Sequence, residues 1–118
     1  YNLVWDKILD LNIFDKDIAQ TEVEYYKTKM NPYGIPLDNR ADFTKSDWQM
    51  WSACLTDDKQ YRDMVIDSMW RMVCEMKSRL PFSDWYWTSK PDMRGFANRT
   101  VQGGLYLLML KISEDSAQ

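Results

Sequence analysis

The longest helical pattern in the sequence is Lys59-Gln-Tyr-Arg-Asp-Met-Val-Ile-Asp-Ser-Met-Trp-Arg-Met-Val-Cys-Glu-Met-Lys77. Apolar residues recur along it every three or four positions, which places them on one face of an α-helix. That face consists of Tyr61, Val65, Met69, Met72, Val73 and Met76. Charged residues between them predict a half-exposed helix. Because polar residues of this kind cap helix ends, we expect a kink at Asp67-Ser68.

Four further helices are predicted on either side of this one, at about 3–11, 18–30, 47–55 and 101–112. Ser46 and Gln49 have the spacing of a capping box at the start of the third. The last is apolar nearly all round, so we expect it to be deeply buried. Its pair Gly103-Gly104 indicates either close packing or a helix that starts after the pair, and residues 113–118 are predicted to fray.

The predicted fold class is all-α, because no stretch alternates strictly and no hairpin dipeptide occurs. The odd-numbered helices are short and apolar, whereas the even-numbered ones are long and amphipathic. This alternation is typical of helical hairpins in an α/α barrel of the (α/α)6 type. Two and a half hairpins cannot close a ring, so residues 1–118 are predicted to be one all-α piece of a larger helical domain, or else an open bundle.

Composition excludes several classes of function. The chain has 118 residues, a formal charge of −3 and no histidine. The absence of histidine excludes Ser-His-Asp triads, Cys-His dyads and His-based zinc sites within it. The charge argues against nucleic-acid binding, and no apolar run is long enough to predict a membrane span. No cofactor or metal is expected, and Cys54 and Cys74 are predicted to be buried free thiols.

The two long connections, 31–45 and 78–100, carry the polar chemistry. Short connections make antiparallel neighbours, so both long loops are expected at one end of the helices. The first has alternating charges that continue into the third helix, at Asp38, Arg40, Asp42, Lys45 and Asp47; the second has the aromatic run Trp85-Tyr86-Trp87. Together they predict a polar pocket with aromatic walls.

Simpler roles remain open for these residues. Asp47 follows a helix start, where a negative charge favours the helix dipole. Asp84 could cap a turn, and Arg40 could pair with Asp42. The sequon at Asn98 matches a glycosylation acceptor, a pattern that is common by chance.

Several stretches resemble the glutaminase A family. They are Asn2-Leu-Val-Trp-Asp-Lys-Ile-Leu9, Tyr25-Tyr-Lys-Thr-Lys-Met30 with Gly34 and Leu37-Asp38 after it, Thr44-Lys-Ser-Asp-Trp48, Ser78-Arg-Leu-Pro-Phe-Ser-Asp-Trp-Tyr86, Gly95-Phe96, Arg99 and Gly103-Gly104. The resemblance implies an extracytoplasmic enzyme of fungi or bacteria, with a β-rich N-terminal part and a C-terminal six-hairpin helical domain similar to that of glycosidases. This chain would be the last portion of that domain. Asn98 departs from the family pattern, where an alanine is expected.

The resemblance implies hydrolysis of glutamine to glutamate and ammonia, but it supplies no catalytic set. On chemical grounds the catalytic candidates are Asp38, Asp84 and Lys45. Arg40 or Arg99 could bind the substrate carboxylate.

The remaining substrate-binding candidates are Asp47, Trp85 and Trp87. Asp38, Arg40, Lys45, Asp84 and Trp85 are expected to face one cavity in the intact enzyme. The alternatives are sugar processing, with Trp85 and Trp87 stacked on the sugar, and a non-catalytic helical module. The predicted partners are a small substrate and the rest of the parent polypeptide.

Overall fold

A computed structural model describes residues 1–78 and 82–118. Its α-helices are α1 (Leu3–Ile8), α2 (Lys16–Lys29), α3 (Ser46–Ala53), α4 (Lys59–Glu75) and α5 (Leu107–Ala117), and a 3-10 helix, Thr100–Tyr106, leads into α5. Three strands accompany them: β1 (Phe43–Lys45), β2 (Trp85–Trp87) and β3 (Met93–Gly95). No helix in the described part of the chain has the length and apolarity that a membrane crossing requires.

The small sheet corrects the all-α prediction. Its order is β1-β2-β3, all antiparallel, with Phe43 opposite Trp87 and Lys45 opposite Trp85. Each strand has three residues, which is too short for a period-two pattern to stand out, although aromatic residues favour strands. The first long loop supplies β1 and the second supplies β2 and β3, so the expectation that the two loops lie together is confirmed.

Helix α4 corrects a second prediction, because it runs unbroken through Asp67-Ser68. The Ser68 hydroxyl donates a hydrogen bond to the Val65 carbonyl within the helix. The hydroxyl therefore has a partner without any break in the helix. The cap is at the helix start instead, where the Asp58 carboxylate accepts from the backbone N–H groups of Gln60 and Tyr61.

The sheet joins the helices through one buried amide. Thr44 and Tyr86, the paired middle residues of β1 and β2, are fully buried. The Gln49 side chain donates to the Tyr86 hydroxyl and accepts from the Ile35 backbone N–H at 2.8 Å. The capping-box prediction for Gln49 is therefore wrong: no side chain caps α3, and Gln49 instead links the first loop to β2 from within the core.

The C-terminal region differs from prediction in two ways, and one cysteine of α4 differs as well. Leu108 is buried, but Tyr106 and Met109 are about two-thirds exposed, at 67% and 66%, so deep burial of this segment is wrong for the chain described. Residues predicted to fray continue α5 to Ala117. On α4, Cys74 is exposed and only Cys54 is a buried free thiol. Burial raises the pKa of the Cys54 thiol to about 11.

The glycine pair explains how the 3-10 helix packs against α3. A Cβ atom added at Gly104 would lie 2.9 Å from the Asp47 Cβ and 3.0 Å from the Trp51 Nε1. A Cβ added at Gly103 would meet no atom within 4 Å. Only the second glycine is therefore required for close approach, and the α-helix starts three residues after it.

We expect Gly104→Ala to lower the free energy of unfolding by about 1–3 kcal/mol, because the added methyl overpacks the contact with α3. Gly103→Ala is the matched control, and it should be neutral or stabilising by up to about 1 kcal/mol, since alanine favours a helical backbone. Urea unfolding of both variants measures this. Equal effects at the two positions would contradict the close-packing explanation.

Candidate functional site

A buried carboxylate is the centre of the candidate site. Asp84 is 0% exposed, and its Oδ1 accepts from the Arg99 Nε at 3.0 Å while its Oδ2 accepts from the Arg99 Nη2 at 2.5 Å. The Lys45 Nζ lies 3.8 Å from the same Oδ2. The Ser46 backbone N–H donates to the Asp84 carbonyl at 2.9 Å. Asp84, the residue before β2, thus contacts the end of β1, the start of α3 and the residue before the 3-10 helix.

The Lys45 amine lies between aromatic rings. Its Nζ is 4.5 Å from the centroid of Trp85 and 4.6 Å from that of Phe96, and these two rings stack at 5.1 Å. Desolvation by these neighbours lowers the pKa of Lys45, whereas the Asp84 carboxylate raises it and Arg99 lowers it again. A sheltered amine with a lowered pKa can exchange a proton more readily than an exposed lysine.

A second carboxylate, Asp47, lies beside the first. Its Oδ2 accepts from the Tyr1 hydroxyl at 2.8 Å, and burial, with this hydrogen bond next, raises the pKa of Tyr1 well above its usual value. The Asp47 Oδ1 is buried and has no hydrogen-bond partner within residues 1–78 and 82–118. That oxygen is available to a donor that the described chain does not supply.

The other predicted carboxylate lies apart from this cluster. Asp38 accepts from the Arg40 Nη2 at 2.6 Å and from the Arg40 backbone N–H at 2.9 Å, and these hydrogen bonds lower the pKa of Asp38. The Arg40 side chain is 71% exposed. In the described residues, no ion pair joins this pair to Asp84. The suggested ion pair between Arg40 and Asp42 is therefore replaced by one with Asp38, at the edge of the sheet.

The outward face of the sheet carries aromatic rings with cations above them. Phe43 packs edge-on against Trp85 and Trp87, at 5.5 and 6.1 Å. The Arg94 guanidinium lies 4.8 Å from the Trp85 centroid and 5.8 Å from that of Trp87. The sequence alone does not single out Arg94, because 78–100 shows no strand pattern. The β2–β3 pairing, which brings Gly95 opposite Trp85, places Arg94 at this face.

The structure thus brings together Lys45, Asp47, Asp84, Trp85 and Arg99 and leaves Asp38 and Arg40 at the margin. The roles of all these residues stay predictions. Among the described residues, no group of His, Cys, Asp and Glu is arranged to hold a metal ion.

A separate cavity of about 670 Å³ lies between α1, the start of α2 and the α3–α4 connection. None of the predicted site residues lines it. Its walls include Leu3, Phe14 and Leu55 together with Asp6, Asp57 and Asp58. Neither its position nor its lining connects it to the cluster around Asp84.

We expect the pKa of the Lys45 amine to lie below the 10.5 that is usual for lysine, because aromatic contacts desolvate it. Asp84→Asn should lower that pKa further, since it removes the carboxylate that favours the protonated amine. Competitive acetylation across neutral to alkaline pH, read by peptide mass spectrometry, gives the midpoint. Lys45 in the urea-unfolded chain is the control, and a higher pKa in Asp84→Asn would contradict the geometry.

Comparison with known proteins places the chain in a family. A family model described as "Glutaminase A six helical-hairpin domain" matches residues 1–109. The chain is 31% identical over 113 residues to "Glutaminase A" of Aspergillus oryzae, a match that covers 93% of this chain and 16% of that protein. It is 29% identical over 98 residues to "Probable glutaminase/05536" of Arthroderma benhamiae, covering 80% of this chain and 11% of that protein.

The chain therefore spans less than a fifth of the length of either relative. No solved structure is significantly similar to it. The family match covers nearly all of the sequence and agrees with the resemblance of the motifs in both long loops. The chain belongs to the glutaminase A six-helical-hairpin domain family.

Proposed function

We propose that this chain is part of a glutaminase-like amidohydrolase that converts L-glutamine to L-glutamate and ammonia, and that it contributes the cluster around Asp84 to the active site. The observation that carries the proposal is the family match over residues 1–109, joined to two relatives named as glutaminases. The cluster supports it, because it combines a buried carboxylate, a desolvated amine and aromatic walls in one place.

The chemistry requires water to add to the amide carbon, the C–N bond to break and the leaving nitrogen to gain a proton. Lys45 is the residue whose surroundings best suit proton transfer. In its neutral form it would take a proton from the attacking water and give it to the departing nitrogen, which leaves as ammonia. Asp84 has both oxygens occupied by Arg99, which favours a positioning role for its carboxylate beside the Lys45 amine.

Asp47 is the second group that suits the substrate. Its unpartnered buried oxygen fits a donor such as the amide nitrogen of the substrate, because a buried acceptor without a partner is costly. Asp38 and Arg40, which already neutralise each other at an exposed position, fit the rim of such a site better than its centre.

We also propose that the chain packs against further helical hairpins of a longer parent. Two exposed apolar faces support this, one on the C-terminal segment and one on α4. They consist of Tyr106, Met109, Leu110 and Ile112, and of Ile66, Trp70 and Val73. A six-hairpin domain has more helices than the five α-helices in the described residues. An extracytoplasmic location remains part of the proposal and rests on the family resemblance alone.

The alternative of sugar processing is favoured by one observation, the half-buried Trp85 and Trp87 on a single sheet face. Sugars bind to the open faces of such rings. Here Lys45, Arg94 and Phe96 lie over Trp85, and Lys90 lies over Trp87. These contacts leave less ring surface for a sugar, so the glutamine reaction is the better supported one.

We expect Lys45→Arg in the intact parent to lower kcat/KM for glutamine by about 100-fold or more, because arginine keeps the charge but does not exchange a proton. Asp84→Asn should lower it too, and also lower the melting temperature, since the carboxylate is buried in a pair. Lys59→Arg, at an exposed position, is the matched control and should change neither. Ammonia release and melting temperature are measured on the same preparations.

Full activity in Lys45→Arg would remove Lys45 from the reaction. Release of reducing sugar from glycans without ammonia from glutamine would favour the carbohydrate alternative. The chain of 118 residues expressed alone is a further control, which should release no ammonia because it lacks the other hairpins.

A further inference from the structure

A substrate with a free carboxylate needs a cationic group whose donors are not already in use. Arg40 and Arg99 are the two arginines that the sequence suggested for this role, but each is engaged. Arg40 holds Asp38 through Nε and Nη2, and Arg99 holds Asp84 through the same pair of nitrogens. Either could bind a substrate carboxylate only by giving up a bidentate ion pair, which is among the stronger polar interactions in proteins.

Arg94 is different because no carboxylate within residues 1–78 and 82–118 pairs with it. Its guanidinium instead lies over Trp85 and Trp87, at 4.8 and 5.8 Å from their centroids. Stacking on indole rings restricts the plane of a guanidinium and leaves its N–H edge free to donate. A guanidinium held in one plane with a free edge is suited to bidentate binding of a carboxylate.

The position of Arg94 relative to Lys45 adds a second argument. Both cations lie against the same indole ring, at 4.8 Å and 4.5 Å from the Trp85 centroid. These two distances limit the separation of the Arg94 guanidinium and the Lys45 amine to about 9 Å or less, a span comparable to that of an extended amino acid with a hydrogen bond at each end. Near Trp85 the three cations Lys45, Arg94 and Arg99 outnumber the two carboxylates Asp84 and Asp47, and this excess of positive charge favours an anionic ligand.

We propose that Arg94 binds the carboxylate of the substrate and makes the site selective for amides that carry one. The identity of the substrate rests on the proposed function, whereas the binding of a carboxylate does not. The chemical class is a small aliphatic carboxylate. Its amide end would lie toward Lys45 and its carboxylate end at the β3 side of Trp85.

The test uses the intact parent and two substrates, L-glutamine and 4-aminobutanamide, which lacks the carboxylate. Arg94→Gln should lower kcat/KM for glutamine by about 10- to 100-fold, the range for a lost charged hydrogen bond. It should leave kcat/KM for 4-aminobutanamide within about twofold, because nothing at Arg94 contacts that substrate. Arg94→Lys should have an intermediate kcat/KM for glutamine, since an ammonium keeps the positive charge but cannot donate the two parallel hydrogen bonds of a guanidinium. Lys90→Gln, at the neighbouring Trp87, is the matched control.

A binding experiment separates this inference from the proposed function. Calorimetric titration of the parent with glutarate should show binding that Arg94→Gln weakens by the same factor, even if the wild-type parent fails to hydrolyse glutamine. Equal loss of activity on both substrates would show a structural role and overturn the inference. So would glutarate affinity that does not change in Arg94→Gln.

Discussion

The structure depends on one constraint, the burial of the Asp84 carboxylate. A carboxylate with no exposure is tolerated only where cations and hydrogen bonds replace water. Arg99 and Lys45 supply those cations; Arg99 is the residue before the 3-10 helix and Lys45 is the last residue of β1. The two long loops are therefore held together by the need to neutralise a single buried charge, and α3 starts beside it.

Local backbone strain brings one of those partners into place. Phe96 and Asn98 both have positive φ, at 55° and 54°, a conformation that costs a residue other than glycine about 1 kcal/mol or more. The turn they form directs Arg99 back onto Asp84 and places its guanidinium 3.8 Å from the Phe96 centroid. The ion pair and the ring contact offset the strain, and the same turn sets Phe96 against Trp85 and over the Lys45 amine.

The sequence was informative where a pattern is long and local. The apolar stripe of α4 predicted a helix and most of its buried face, because many repeats agree, but Val73 in that stripe is exposed. Prediction from the sequence failed where tertiary contacts decide the outcome. Gln49 has the spacing of a helix cap but forms its hydrogen bonds in the core, and strands of three residues are too short to show an alternating pattern. The apolar C-terminal segment predicts deep burial but is partly exposed, because apolar composition alone does not show which faces of a helix a neighbouring element covers.

The candidate site shows the same division. Charge and aromatic content singled out Lys45, Asp84, Trp85 and Arg99, which the structure places together. The sequence does not show which carboxylate each arginine pairs with. Only the fold shows that Arg40 pairs with Asp38 at the rim and that Arg99 pairs with the buried Asp84. Arg94 could be found only from the pairing of β2 with β3, because no local pattern distinguishes it from a surface arginine.

A double-mutant cycle on Asp84 and Arg99 tests the central claim most directly. The free energy of unfolding is measured by urea titration for Asp84→Ala, Arg99→Ala and the double variant. If the fold depends on neutralising the buried Asp84 carboxylate, the double variant will be destabilised by clearly less than the two single effects combined, because the second substitution removes a partner already lost. Strictly additive effects would contradict the account.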